Sequence, residues 1–391
     1  MNVGIFCITT LSLIVNSHAW ARPEFSLRAK LNCTGCHVLP QGAGPRNAFG
    51  KAFGSRSHGA QKTSATDWYY GDFRTEFSRP FENPRNSKNG FTLIDGAASA
   101  NFKFLENPLY NLSYLGTFDM GTISSGAREQ TLLWTKTAGA EYLPDQILVG
   151  KFYLPFGLLT DDPRTYTKKQ TRTTLRHFDA GLNISWDFLQ ASHLDLSLTN
   201  GFQSAGAGST NDVTMAYTGN LRLNPPGPVF YGLSYSHHES EKKPDGISYS
   251  LYSGLDFNIL TKGKFNSSLT GELVSGKGWN DPTINDQVNF FTTDAAYLST
   301  VKDKESRGYY ALWKLALVDI FTVFVKADSF AFDKDQPKNR FERLGYGINW
   351  QFDSNIFVII RYDDTKVHGT VDDPNTGSSQ DMIVINLRAW I

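Results

Sequence analysis

Arg343-Leu344-Gly345-Tyr346-Gly347-Ile348-Asn349-Trp350-Gln351-Phe352 alternates without a break. On an extended chain Leu344, Tyr346, Ile348, Trp350 and Phe352 share one face, and Arg343, Gly345, Gly347, Asn349 and Gln351 share the other. A period of two with one apolar face predicts a half-buried strand. A guanidinium and two amides on the second face require that face to be wet. His193 to Thr199 repeats the pattern, with Leu194, Leu196 and Leu198 opposite His193, Asp195, Ser197 and Thr199. Between Ile247 and Ile259, Tyr249, Leu251, Leu255 and Phe257 stand opposite Ser250, Asp256 and Asn258.

The connections decide what the strands build. Short ones fall near 106–108, 144–145, 189–192, 225–228, 261–263, 319 and 354–355. Longer polar ones fall near 79–90, 120–130, 154–175, 202–211, 239–246, 276–305, 333–342 and 364–381. With 276–305 read as one loop, short and long alternate strictly. That parity predicts sixteen antiparallel strands closed into an all-β transmembrane barrel over residues 67–391. Short turns and both termini lie at its periplasmic rim, and long loops at its extracellular rim. Met382 to Ile391 is the closing strand, with Ile383, Ile385, Leu387, Ala389 and Ile391 on one face; Trp390 is penultimate, where such barrels commonly end on an aromatic residue.

Composition agrees. Aromatic residues make up 14% of the chain and charged residues 19%, and there are 34 glycines, as expected of aromatic girdles around a polar lumen. The mean hydropathy of −0.33 is too polar for a helical membrane protein. Lys and Arg equal Asp and Glu at 38 each, which leaves no basic footprint for nucleic acid.

Residues 1–21 read as a signal peptide, with an apolar run from Ile5 to Val15 and the small-x-small pattern Ala19-Trp20-Ala21. Met1 to Gly4 carries no Lys or Arg, which departs from the usual basic start. Cys7 leaves with that segment, so the exported chain keeps only Cys33 and Cys36, in Cys33-Thr34-Gly35-Cys36-His37. C-x-x-C-H is the attachment signature of c-type haem. The two thiols match the two vinyl groups of the ring, and the next histidine is the proximal iron ligand. A thioredoxin-like dithiol needs a βαβ context that is absent, and a zinc site needs a second Cys/His pair. The expected cofactor is therefore one covalent haem c, held by Cys33, Cys36 and His37.

Residues 22–66 form the expected haem-binding segment, too short to build its own core. Arg22, Arg28, Lys30, Arg46, Lys51, Arg56 and Lys62 face only Glu24, a net charge of +6, so the remainder of the chain carries −6. Opposite charge favours docking of the segment on the barrel, and some of these cations could pair the haem propionates. The other reading is a soluble basic linker. The distal iron ligand is open. His58 is nearest in sequence and is the first choice; His193, inward near the short-turn rim by strand parity, is the second. His177, His237, His238, His368, Met120, Met215 and Met382 are the remaining candidates. His237-His238-Glu239 with Glu241 reads as a charged hairpin tip, with a metal site as the alternative.

Signal peptide, one C-x-x-C-H and a porin-sized barrel together resemble the outer-membrane monohaem cytochrome–porin fusions of iron-oxidising bacteria. The corresponding residues are Pro23, Phe25, Cys33, Cys36, His37, Phe49, Gly50 and Phe53. His37 to Gly50, with Pro40, Gly42, Gly44 and Asn47, is more similar to porin-like proteins with a C-x-x-C-H-x-x-P-x-G-x-G head, and that departure leaves the iron substrate open. Lys151-Phe152-Tyr153-Leu154-Pro155-Phe156-Gly157 also resembles a strand-end element of several porin families. The loop it opens, with Asp161, Asp162, Arg164 and Tyr166, reads first as an exposed loop and second as one folded into the pore.

The expected function is electron transfer between an extracellular donor, ferrous iron among the candidates, and periplasmic electron carriers. This describes an electron-transfer protein, an iron oxidase at most, rather than a substrate-converting enzyme. The alternative is a solute porin gated or plugged by its haem segment.

Overall fold

The computed structural model describes residues 68–80, 90–119, 126–137, 143–158, 165–171, 178–188, 192–201, 213–240, 245–278, 299–318, 320–336, 340–353, 356–368 and 380–390. Residues 27, 31, 35–39, 46–47 and 50 of the N-terminal segment are described as well. The signal peptide, Cys33 and His58 lie outside the described residues.

The first eight strands are β1 (Tyr69–Pro80), β2 (Gly90–Glu106), β3 (Tyr110–Asp119), β4 (Gly126–Lys136), β5 (Gln146–Tyr153), β6 (Phe178–Phe188), β7 (Ser192–Thr199) and β8 (Val213–Leu223). They are followed by β9 (Val229–Ser240), β10 (Gly246–Asp256), β11 (Ser267–Lys277), β12 (Glu305–Val318), β13 (Phe321–Ala331), β14 (Arg340–Asp353), β15 (Ile356–His368) and β16 (Gln380–Trp390). Each pairs antiparallel with its sequence neighbours. β1 pairs with β16, Phe73 opposite Ala389 and Glu76 opposite Asn386, so the sixteen strands close into a barrel with no free edge. The strand count is that read from the sequence; the strict alternation of short and long connections is not kept, since the turns after β4 and β10 are longer than the connections after β3 and β9.

The inside–outside parity also follows the sequence. Leu344, Tyr346, Ile348, Trp350 and Phe352 are exposed on the outer face, whereas Arg343, Asn349 and Gln351 are buried facing in. Outward Leu196, Leu233, Leu251, Leu273, Ile348 and Ile360 form an apolar belt of the kind that faces lipid. Rings flank it. Phe321 stacks on Trp350 at 5.6 Å toward the short-turn rim, and Tyr235 meets Tyr249 at 5.3 Å toward the long-loop rim. Inward charges are paired, two of them across neighbouring strands and the third two residues apart along β15. Arg388 Nε donates to Asp72 at 2.8 Å, Arg343 Nε to Asp328 at 3.2 Å and Arg361 Nε to Asp363 at 2.9 Å.

Two turns are longer than the sequence suggested. β4 leaves the sheet at Lys136 and β5 begins at Gln146. Lys136 N–H donates to the Asp145 carbonyl at 2.9 Å, while Thr137 Oγ1 donates to the Pro108 carbonyl of the neighbouring turn at 2.8 Å. The alternation ending at Ile259 stops being a strand at Asp256. Its carboxylate accepts from the Asn258 and Ile259 amides at 2.8 and 3.2 Å and caps a one-turn helix, α1 (Phe257–Leu260).

Candidate functional site

The lumen is occupied by two segments of the chain itself. The first is the connection after β5. It was expected to be exposed first and folded into the pore second; for its described residues the second reading holds, while Asp161, Asp162 and Arg164 lie outside them. Leu154, Phe156, Leu158, Tyr166, Thr167 and Lys168 are all buried. Gly157 makes the entry possible. Its φ is +61°, and a Cβ there would lie 1.8 Å from Glu272 Oε1 and 2.5 Å from Lys168 Nζ. The Gly157 amide donates to Ser234 Oγ at 2.8 Å and the Leu158 amide to Glu272 Oε1 at 3.1 Å, which ties the loop to the facing wall of β9 and β11.

A short helix, α2 (Tyr166–Gln170), completes the crossing. Lys168 Nζ donates to Glu272 Oε1 at 2.7 Å and to the Phe156 carbonyl at 3.0 Å, with both side chains of the ion pair buried. Burial holds the Lys168 ammonium below the usual lysine range, and Glu272 pulls it partly back. Tyr166 packs with Val301, Phe330, Phe332 and Phe341, and the Arg343 guanidinium lies 5.0 Å from its ring. The loop therefore reaches across the lumen from β5 to the β11–β14 wall.

The second segment carries the C-x-x-C-H motif. Cys36 is half-buried and His37 buried at 6% exposure. His37 forms an isolated antiparallel bridge with Arg46. The Asn47 amide donates to the Cys36 carbonyl at 3.1 Å, and the Gly50 amide donates to Asn47 Oδ1 at 2.8 Å. Gly50 lies so close to this turn that a Cβ would fall 1.9 Å from the Cys36 carbonyl oxygen. Val38 and Leu39 then bury against Leu115, Leu133, Leu148, Phe152 and Tyr153, with Leu39 fully covered. Gln146 Nε2 donates to the Val38 carbonyl at 3.3 Å. Leu27 packs with Leu158, Phe230 and Tyr252 on the other side of the lumen. The segment thus touches the walls of β3–β5 and β9–β10, and at Leu158 it touches the infolded loop. Its docking in the barrel, expected from its charge and shortness, is carried by apolar contacts.

The inner wall explains why it docks there. Elsewhere that wall is polar, as at Ser113, Thr117, Glu129 and Thr131 on the same strands. At Leu115, Leu133 and Leu148 it is apolar, and leucines facing water would forfeit roughly 1.5–3 kcal/mol each relative to burial. Val38 and Leu39 provide the cover.

The other ligand candidates are spread widely. His193 is buried facing in, as parity required, but its Nδ1 lies 2.6 Å from Asp187 and its Nε2 2.9 Å from Asp195. Both ring nitrogens face carboxylates, so coordination of iron would require breaking that arrangement. Met215 is exposed on the outer face, His237 lies 3.4 Å from Asp245, and His368 lies 2.7 Å from Glu342. His238 faces in and meets Ser236 Oγ at 3.1 Å. His237 and His238 therefore point to opposite faces, and the described residues contain no cluster of metal-ligating side chains. Met120 and His177 lie outside the described residues.

Solved structures share this architecture. An anion-selective porin from Comamonas acidovorans superposes with a TM-score of 0.56 at 11% identity, over 83% of this chain and 98% of that one. The fold is that of the bacterial porins. Salmonella typhi OmpF, solved as a complex with daunomycin, gives 0.60 at 10% identity over 83% and 97%. OmpT of Vibrio cholerae in its trimer form gives 0.55 at 11% identity over 83% and 98%. No protein-family model and no curated protein matches the chain.

Proposed function

We propose that this chain is an outer-membrane porin whose lumen is closed by its own N-terminal segment. The long loops face outward, and the short turns and both termini face the periplasm. The observation that carries this reading is the seat of Val38 and Leu39 on the inner-wall patch of Leu115, Leu133, Leu148 and Phe152. A solute passing through must displace or bypass this segment as well as the loop latched by Lys168 and Glu272. Conductance in planar bilayers tests it. The full chain should conduct poorly, and deletion of residues 22–66 should raise conductance to that of an open porin. Equal conductance of the two would refute the plug.

Cys33, Cys36 and His37 would hold one haem c, through two thioether bonds and one axial nitrogen. The donor set fits the group: a cysteine with a buried histidine directly after it, in a tightly folded turn. When bound, the haem supplies one-electron chemistry. The burial of His37 in the lumen favours a second reading, in which the chain carries electrons between an extracellular donor and a periplasmic carrier. Ferrous iron would give up one electron per ion and leave as ferric iron. A membrane-impermeant reductant added to intact cells separates the readings. Bleaching of the oxidised haem band before lysis supports electron transfer, and reduction only after lysis leaves the plugged porin alone.

A further inference from the structure

Leu158 carries two contacts that belong to different closures. Its amide donates to Glu272 Oε1 at 3.1 Å, inside the latch of the loop after β5. Its side chain is buried with Phe230, Tyr252 and Leu27, the last of which belongs to the N-terminal segment. The same Glu272 oxygen accepts from Lys168 Nζ and from Ser250 Oγ, each at 2.7 Å. The register sets Tyr252 opposite Glu272, so a residue that packs with Leu27 is the strand neighbour of the latch carboxylate. The segment also reaches the root of the loop. Val38 and Leu39 share a cluster with Phe152 and Tyr153, the last two residues of β5. It therefore bears on the loop both where the loop leaves the wall and where it is fastened across the lumen.

These contacts make each closure depend on the other. An ion pair as buried as Lys168 with Glu272 holds because water is kept from it. With Leu27 gone, Leu158 loses its cover, and water reaches the amide and the carboxylate behind it. With the loop gone, Leu27 keeps Phe230 and Tyr252 but loses Leu158. A free energy shared in this way acts equally in both directions. Lys168 has a different part, since Glu272, the Phe156 carbonyl and the Phe156 ring beside it are all groups of the loop or the wall.

We propose that the N-terminal segment is a strap on the loop after β5, so that the lumen opens in two coupled steps with Leu158 as the coupling residue. This rests on the plugged-porin reading above and adds an order to it, segment first and loop second. The test is single-channel recording of the full chain in planar bilayers. A narrow level should mark departure of the segment, and a wide level departure of both. Transitions to the wide level should be roughly tenfold more frequent from the narrow level than from the closed one. Leu158→Ala keeps the amide bond to Glu272 but removes the shared side chain, and should bring that ratio close to one. Lys168→Met weakens the latch itself, so it should raise wide openings from either state and leave the ratio unchanged. Hydrogen exchange of the same full chain gives a second measurement that does not depend on pore width. Leu27→Ala should speed exchange of the Gly157 and Leu158 amides by roughly fivefold, and a change at the exposed Leu31, Leu31→Ala, should not. Wide openings equally frequent from both states, a Leu158→Ala channel that keeps the tenfold ratio, or loop amides indifferent to Leu27→Ala would each overturn the strap and leave the plug standing. A full chain that is open from the outset would refute the plug, and the strap with it.

Discussion

Leu39→Ala is the sharpest probe of the plug. Its side chain has no exposed surface and sits among Leu115, Leu133, Leu148 and Phe152. Truncation removes three carbons at about 0.8 kcal/mol each. A wall of strands fixed by hydrogen bonds collapses little into the gap, so a cavity cost adds to this and brings the loss to about 3 kcal/mol. That corresponds to roughly a 150-fold rise in the undocked-to-docked ratio. Single-channel recording should show open-level events becoming correspondingly more frequent or longer. Trypsin cleavage after Arg46 in reconstituted protein should accelerate in parallel, because cleavage follows the open population when reclosing is fast. Leu31→Ala, at an exposed position of the same segment, should change neither readout. If Leu39→Ala is silent in both assays while the barrel remains folded, the segment is not held by this seat and the plug reasoning fails.

Three further outcomes follow from the same structure. Cys33→Ala with Cys36→Ala should leave a folded barrel that no longer stains for covalent haem on a denaturing gel; retained stain would remove those cysteines from the attachment. Ile348→Arg should impair membrane assembly, because charge on the lipid face costs roughly 2–4 kcal/mol near the midplane, whereas Asn349→Arg on the lumen face should assemble normally; equal yields of heat-modifiable barrel would contradict the parity. Lys168→Met leaves Glu272 as a buried charge without its ammonium partner, at a cost of about 3–5 kcal/mol. It should expose the loop after β5 to proteolysis and lower the thermal midpoint, and unchanged protection would show that the ion pair does not latch the loop.

The barrel was legible because each of its strands repeats one rule. Arg343 to Phe352 alone fixes which side is wet, and the loop parity supplies the count. What lies inside was less legible, since the contacts join residues far apart in sequence. Lys168 and Glu272 are 104 positions apart, and Gln146 and Val38 are 108. One local signal was available. In Leu132-Leu133-Trp134 and Ile147-Leu148-Val149 the alternation gives way to consecutive apolar residues, so both faces of the strand are apolar there. Leu133 and Leu148 are the inward members of those runs and form the seat of Val38 and Leu39. The inward loop carried a similar sign, Leu154-Pro155-Phe156-Gly157-Leu158, which is too apolar to remain in water. α1 was missed because Phe257, Asn258 and Ile259 continue a period-two pattern that the Asp256 cap interrupts.

The contact of Leu27 with Leu158, Phe230 and Tyr252 sets an order on biogenesis. The N-terminal segment leaves the ribosome before any strand, yet its seat draws on β3 to β5, on the connection after β5, and on β9 and β10. None of those surfaces exists as a pocket until more than half the strands have curled together. β1 follows the segment directly and must also close the seam with β16, so the last joint of the wall is made beside the chain that enters the lumen.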